Sequence, residues 1–168
     1  MVKPQAFFIY GSLLDSDVRR HVFGRELATN EIKAATITGF QTKTYAGDTF
    51  PILVPKPDGY VQGAVLLALS ELDLQRMDFF EGGEYSFGTI ETRLEDGSTQ
   101  LALYNQPCSN DHHNDEDWTL SFWQQYEKTI FLTQCERYMA LFGKMTIDEA
   151  DAVWRSMVDE QQLAMASN

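Results

Sequence analysis

Phe7-Phe8-Ile9-Tyr10-Gly11-Ser12-Leu13 is the stretch whose reading decides the fold. The apolar run from Ala6 to Tyr10 has strand length and no alternation, so it reads as a buried strand central in a sheet. It runs straight into Gly11-Ser12, a small-residue turn whose backbone N–H groups can hold an anion. A second segment, Met77-Asp78-Phe79-Phe80-Glu81-Gly82-Gly83-Glu84-Tyr85, places the Glu81 carboxylate at the end of an apolar helix, against two glycines. A turn of donors and one semi-buried acid are the parts of an acyl-transfer site without metal or cofactor.

Outward from these segments, Asp15-Ser16-Asp17 offers N-caps for a short helix ending near Gly24. Glu31 to Tyr45, rich in Ile and Thr, favours strand, with a bend or bulge at Gly39. Phe50 to Pro55 is a short extended piece between prolines, expected at a sheet edge or bulge. The turn signal Pro57-Asp58-Gly59 then precedes a buried strand from Tyr60 to Leu69. Ser70 caps the helix that ends at Gly82-Gly83. Tyr85 to Leu94 and Thr99 to Tyr104 flank Asp96-Gly97 as a hairpin.

Gln106 to Asp117 is polar and without periodicity, a loop. Asp117 is expected to cap one long helix with Trp118, Phe122, Tyr126, Ile130 and Thr133 on one face, closed by Gly143. Thr146-Ile147-Asp148-Glu149 is a capping box opening a second helix, with Ala150, Trp154, Met157 and Val158 on one side. The expected class is therefore α+β: a small mixed β-barrel or curved sheet with short helices, plus a C-terminal αα-hairpin. Residues 1–105 form the first unit; 106–168 form the polar loop and the hairpin packed on it. The hairpin's aromatic face must be buried on the barrel or in a homodimer contact.

The 168 residues suffice for one domain with a proper core. A formal charge of -12 argues against nucleic acid, whose phosphates call for clustered Lys and Arg. No stretch is long enough to span a bilayer, and Tyr10-Gly11-Ser12 interrupts the only run resembling a signal segment, so the expected location is cytoplasmic. Cys108 and Cys135 have neither the number nor the spacing of a disulfide framework or zinc site. Asp111-His112-His113-Asn114-Asp115-Glu116-Asp117 has the residue types of a metal site, but adjacent histidines point apart and the acids fit a solvated loop. The expectation is no metal and no cofactor.

Four segments in order resemble the γ-glutamylcyclotransferase-like superfamily, which includes the plant avirulence-induced-gene proteins and the γ-glutamylamine cyclotransferases. They are Tyr10-Gly11-Ser12-Leu13 after an apolar strand; Gly47, Phe50 and Pro51 leading into Ile52-Leu53-Val54-Pro55; Val61-Gln62-Gly63-Ala64-Val65; and Met77 to Tyr85. Where members commonly carry Arg after the last Tyr, this chain has Ser86. The resemblance covers about the first two-thirds of the chain. It implies a loop of Tyr10, Gly11, Ser12 and Leu13 that binds a γ-glutamyl group, Glu81 as acid/base, and Tyr85 in the site wall.

The implied reaction is attack of the substrate's α-amine on its own γ-carbonyl, releasing 5-oxoproline and an amine or amino acid. Ring closure makes the attack intramolecular, which removes a large share of the barrier. Glu81, beside Phe79 and Phe80 at the negative end of a helix dipole, should have its pKa pushed upward. The alternatives are a non-catalytic small-molecule-binding or interaction module of the same fold, and a metal-dependent hydrolase built on the His-rich loop. The amine carried by the substrate is not legible in these residues.

Overall fold

The computed structural model describes residues 6–47, 49–81, 85–107 and 113–166. The apolar run forms β1 (Phe7–Ile9), followed by a 3-10 turn (Ser12–Leu14) and α1 (Ser16–Phe23). β2 (Ile32–Tyr45) and β3 (Pro51–Leu66) make a long antiparallel ribbon, and α2 spans Glu71–Glu81. β4 (Tyr85–Leu94), β5 (Thr99–Pro107) and β6 (His113–Asp117) precede α3 (Leu120–Tyr126), α4 (Lys128–Met139) and α5 (Ile147–Ala166).

β1 lies between β3, antiparallel, and β5, parallel; β5 pairs with β4 and β4 with β2. The β2–β3 pairing closes the ring into a five-stranded barrel, with β6 added on the outer edge of β2. This explains why β1 is apolar without alternation. Phe8 and Tyr10 point into the barrel with Ala35, Ile37, Leu53, Val61, Val65 and Tyr104. Phe7 and Ile9 point out, into a second core shared with Val18, Val22, Met77, Trp123, Phe131 and Met157. A strand covered on both faces has no polar side to show. Gly63 permits the tight crossing of β3 over β1, since a Cβ there would stand 2.2 Å from the Ile9 carbonyl oxygen.

The local stop and start signals act as expected. Asp15 accepts from the N–H of Asp17 at 2.9 Å and of Val18 at 3.3 Å, and Gly24 ends α1 in the left-handed region. Ser70 and Asp73 exchange hydrogen bonds at the start of α2, and Thr146 and Glu149 do so at α5.

Several expectations are corrected. Pro57-Asp58-Gly59 is not a turn between two strands: β3 runs through it. Residues 56–59 bulge opposite Gly39, where the register steps from Thr38↔Tyr60 to Phe40↔Pro55. The polar segment before Asp117 is not all loop, because His113–Asp117 pairs on β2 and Asp117 meets Lys43 Nζ at 2.6 Å. Such a charged strand forms on an existing edge and takes its order from it.

The long helix is two helices. Thr119, not Asp117, caps α3 by accepting from Phe122 N–H at 3.3 Å, and the chain breaks helical geometry at Glu127. That break rotates the buried face. Trp123, Phe131, Cys135, Tyr138 and Met139 are inside, whereas Phe122, Tyr126 and Ile130 are exposed. Trp118 is buried, but on the barrel: its indole N–H donates to the Thr49 carbonyl at 2.9 Å. The C-terminal part is therefore three helices rather than a hairpin of two.

Candidate active site

The C-terminus of α2 is fixed by aromatic packing. Phe79 lies 4.9 Å from Tyr138 between ring centres, and Phe80 lies 6.2 Å from Phe131. The Tyr138 hydroxyl donates to the Phe79 carbonyl at 2.6 Å, satisfying one of the last helix carbonyls, which have no partner within α2. Trp154 of α5 stands over both Phe131 and Tyr138 at 5.7 Å. Glu81, the next residue after Phe80, is thereby held against the mouth of the barrel.

One cavity collects these parts. It holds about 130 Å³, against about 10–15 Å³ for a single water, so it can admit a small organic ligand. Tyr10, Gly11, Ser12 and Leu13 line one side, and Phe80, Glu81 and Asn105 line another. Phe131 and Tyr138 of α4, with Asp151, Trp154 and Arg155 of α5, complete the wall. The turn is rigid: the N–H groups of Leu14 and Asp15 donate to the carbonyls of Gly11 and Ser12 at 2.9 Å. The Ser12 and Leu13 N–H groups precede those bonds and have no acceptor within the turn. Gly11 packs against the Pro51 ring, where an added Cβ would come within 2.9 Å of Cγ.

The electrostatics single out one acid. Burial pushes the Glu81 carboxyl up to about 8; a hydrogen bond from the Asn105 side chain opposes this, and the charge of Asp78 adds to it. Burial, then the nearby Glu81, also raises the Tyr10 hydroxyl well above its usual range. Tyr138 is raised by burial first, with Asp151 and Glu81 contributing. Tyr10 is further tied to the far strand, its hydroxyl donating to the Asn105 carbonyl at 2.8 Å.

Of the residues expected in the site, Tyr10, Gly11, Ser12, Leu13 and Glu81 share this cavity. Tyr85 begins β4, but its side chain lies outside the described part. Gly82, Gly83, Glu84, Cys108, Asp111 and His112 also lie outside the described residues. Among the described residues no group of three His, Cys, Asp or Glu side chains is placed to hold a metal ion. No described helix is long and apolar enough to cross a membrane.

Asn105 and the wall from α4 and α5 were not foreseen. Asn105 carries a signal in hindsight, as a polar residue next to buried Tyr104 at a strand end. The α4 and α5 contributions are tertiary and have no local signature.

Residues 7–120 match the family model described as gamma-glutamyl cyclotransferase, AIG2-like. The chain belongs to this family. AIG2-like protein A of Arabidopsis thaliana is 32% identical over 134 residues, covering 79% of each chain. The solution structure of another Arabidopsis thaliana protein superposes with a TM-score of 0.59 at 27% identity, covering 86% of this chain and 97% of that one. A solved gamma-glutamyl cyclotransferase shares the fold, with a TM-score of 0.51 at 17% identity over 64% of this chain and 68% of its own. The AIG2-like match ends at Leu120, so α4 and α5, which build one wall of the cavity, lie beyond it.

Proposed function

We propose that this AIG2-like protein is a cyclotransferase that converts a γ-glutamyl compound into 5-oxoproline and a free amine or amino acid. The observation that carries this reading is that one cavity is lined both by Glu81 and by the Tyr10–Leu13 turn. Family membership supports the reaction class at the coarse level.

In the proposed reaction the γ-glutamyl group enters with its γ-carbonyl oxygen toward the Ser12 and Leu13 N–H groups. Its α-ammonium meets Glu81. Ionised Glu81 takes a proton from the ammonium, and the freed amine nitrogen attacks the γ-carbonyl carbon. A C–N bond forms, the ring closes, and the oxyanion is held by the turn's donors. Protonated Glu81 then gives its proton to the departing nitrogen as the original C–N bond breaks. The carboxylate so returned takes the ring nitrogen's second proton and passes it to the released amine, which leaves as an ammonium.

A carboxyl raised to about 8 suits both halves of this cycle. It lies near the proton affinity of an amine, so transfer in either direction meets little thermodynamic opposition. A bound ammonium also favours the ionised form of Glu81 by its charge. Tyr10 and Tyr85 serve as walls for the glutamyl portion in this reading, and the α5 side faces the leaving group. Incubation with a panel of γ-glutamyl dipeptides and γ-glutamyl amines, assayed for 5-oxoproline, tests it. Release from at least one compound is expected, and release from none contradicts the proposal.

A further inference from the structure

Asn105 touches both halves of the site. Only 5% of it is exposed, on β5 beside the parallel strand β1. Its carbonyl accepts the Tyr10 hydroxyl at 2.8 Å, and its side-chain amide hydrogen-bonds the Glu81 carboxyl. Its Oδ1, fully enclosed, has no partner among the described residues. An enclosed acceptor without a donor costs about 1–3 kcal/mol, so its persistence asks for a reason.

Glu81 is surrounded from several elements. Asp78 faces it from its own helix, Tyr10 from β1, Asn105 from β5 and Tyr138 from α4, while Asp151 and Arg155 line the same cavity from α5. The hydroxyls of Tyr10 and Tyr138 already donate to the carbonyls of Asn105 and Phe79. Asp78 and Asp151, when ionised, only accept. Glu81, already the partner of this amide, carries a proton of its own when neutral, which an amide oxygen can accept. Half a turn about the Cβ–Cγ bond exchanges Oδ1 and Nδ2 at nearly constant shape.

We propose that Asn105 is the positioning residue of Glu81: its amide donates to the carboxylate and, turned over, accepts from the protonated carboxyl. One side chain thus holds the acid in a single orientation through both halves of the proton-transfer cycle. A Leu at this place could answer neither state. The inference rests on the acid/base reading of Glu81 for its catalytic meaning, but not for the contact itself.

Two measurements on isotope-labelled, full-length protein test it by NMR. In the wild type, the Asn105 side-chain amide resonances and the Glu81 carboxyl carbon are followed from about pH 5 to about pH 10 and should move with one shared midpoint. In Asn105→Leu the Glu81 midpoint should rise by about one unit, because the lost bond to the charged form is stronger than the one to the neutral form. Asn105→Asp, of the same shape but without the donor, should raise it further, as two acids share one proton.

Amide resonances indifferent to the Glu81 titration overturn the proposal, as does an unchanged midpoint in a folded Asn105→Leu protein. Should that variant fail to fold, the wild-type titration decides. Neither measurement requires turnover. A shared midpoint in a protein that releases no 5-oxoproline would sink the cyclotransferase reading and leave the Asn105–Glu81 pair standing.

Discussion

The Asp15 carboxylate, only 2% exposed, accepts Lys128 Nζ at 2.9 Å, joining the end of the site-forming turn to the first residue of α4. Gln124 Nε2 adds a second contact at 2.9 Å, and Lys128 also reaches Asp17 at 2.8 Å. Burial raises the Asp15 carboxyl, but the bonds from Lys128, Gln124, Val18 and Asp17 outweigh it and hold it below its ordinary value.

Removing the cation from this pair should therefore be costly. Lys128→Met is expected to destabilise the fold by about 2–3 kcal/mol, below the upper range for a broken buried pair because three other donors remain on Asp15. Denaturant unfolding near neutral pH measures it. A carboxyl depressed in the folded state contributes stability above its unfolded pKa and loses it as pH falls through the folded one. The wild type should thus lose more of its stability on acidification than Lys128→Met does. Equal acid sensitivity would contradict the assignment.

The helices after the barrel are part of its core. Phe7 and Ile9 of β1 share one apolar cluster with Phe131, Cys135, Tyr138 and Met157. Each large side chain buried there is worth about 1.5–3 kcal/mol. Truncation after Asn105 should give an insoluble or molten fragment, checked by near-UV circular dichroism and thermal melting. A soluble fragment with a sharp transition would refute this.

Glu81 should cost the protein stability at high pH. Its folded-state pKa of about 8 lies above the ordinary 4.5, so between those values the folded state binds more protons than the unfolded. Stability from this group is full below the unfolded pKa and falls as pH rises toward the folded one. Glu81→Gln, which cannot ionise, should melt several degrees higher than wild type at about pH 9, the gap closing near pH 5. A gap that is constant with pH would count against a raised carboxyl.

The α5 wall should govern the leaving group. Arg155 is exposed and lines the cavity, a place from which a cation can meet the leaving group. For substrates whose leaving group carries a carboxylate, Arg155→Ala should raise KM on the order of tenfold, the worth of one charge-assisted contact. For γ-glutamyl amines without one, KM should hardly change. Steady-state kinetics on both kinds of substrate decide between these outcomes.

Much of this architecture was legible because its signals are local. Ala6 to Tyr10 announced a strand covered on both sides, Asp96-Gly97 a hairpin with Gly97 at positive φ, and Thr146 with Glu149 a helix start. What escaped was decided at a distance. Nothing in His113-Asn114-Asp115-Glu116-Asp117 favours a strand; the open edge of β2 imposes it. The break at Glu127 has neither Gly nor Pro, and only the packing of Trp123 and Phe131, 5.3 Å apart between ring centres, shows which face turns inward. In the site, the turn and Glu81 could be found from short segments. Asn105 left only the faint mark of a polar residue beside Tyr104, since its part depends on β5 lying parallel to β1.

The most direct test of the account is 5-oxoproline release by wild type and Glu81→Gln on the best substrate of the panel, measured as a function of pH. Gln preserves size and packing but cannot accept the ammonium proton. Wild-type kcat/KM should rise with pH until the Glu81 carboxyl is ionised, at about 8 in the free protein. Glu81→Gln should stay folded and lose about 10²–10⁴-fold in kcat. A folded Glu81→Gln protein that releases 5-oxoproline at near wild-type rate would show that Glu81 is not the acid/base.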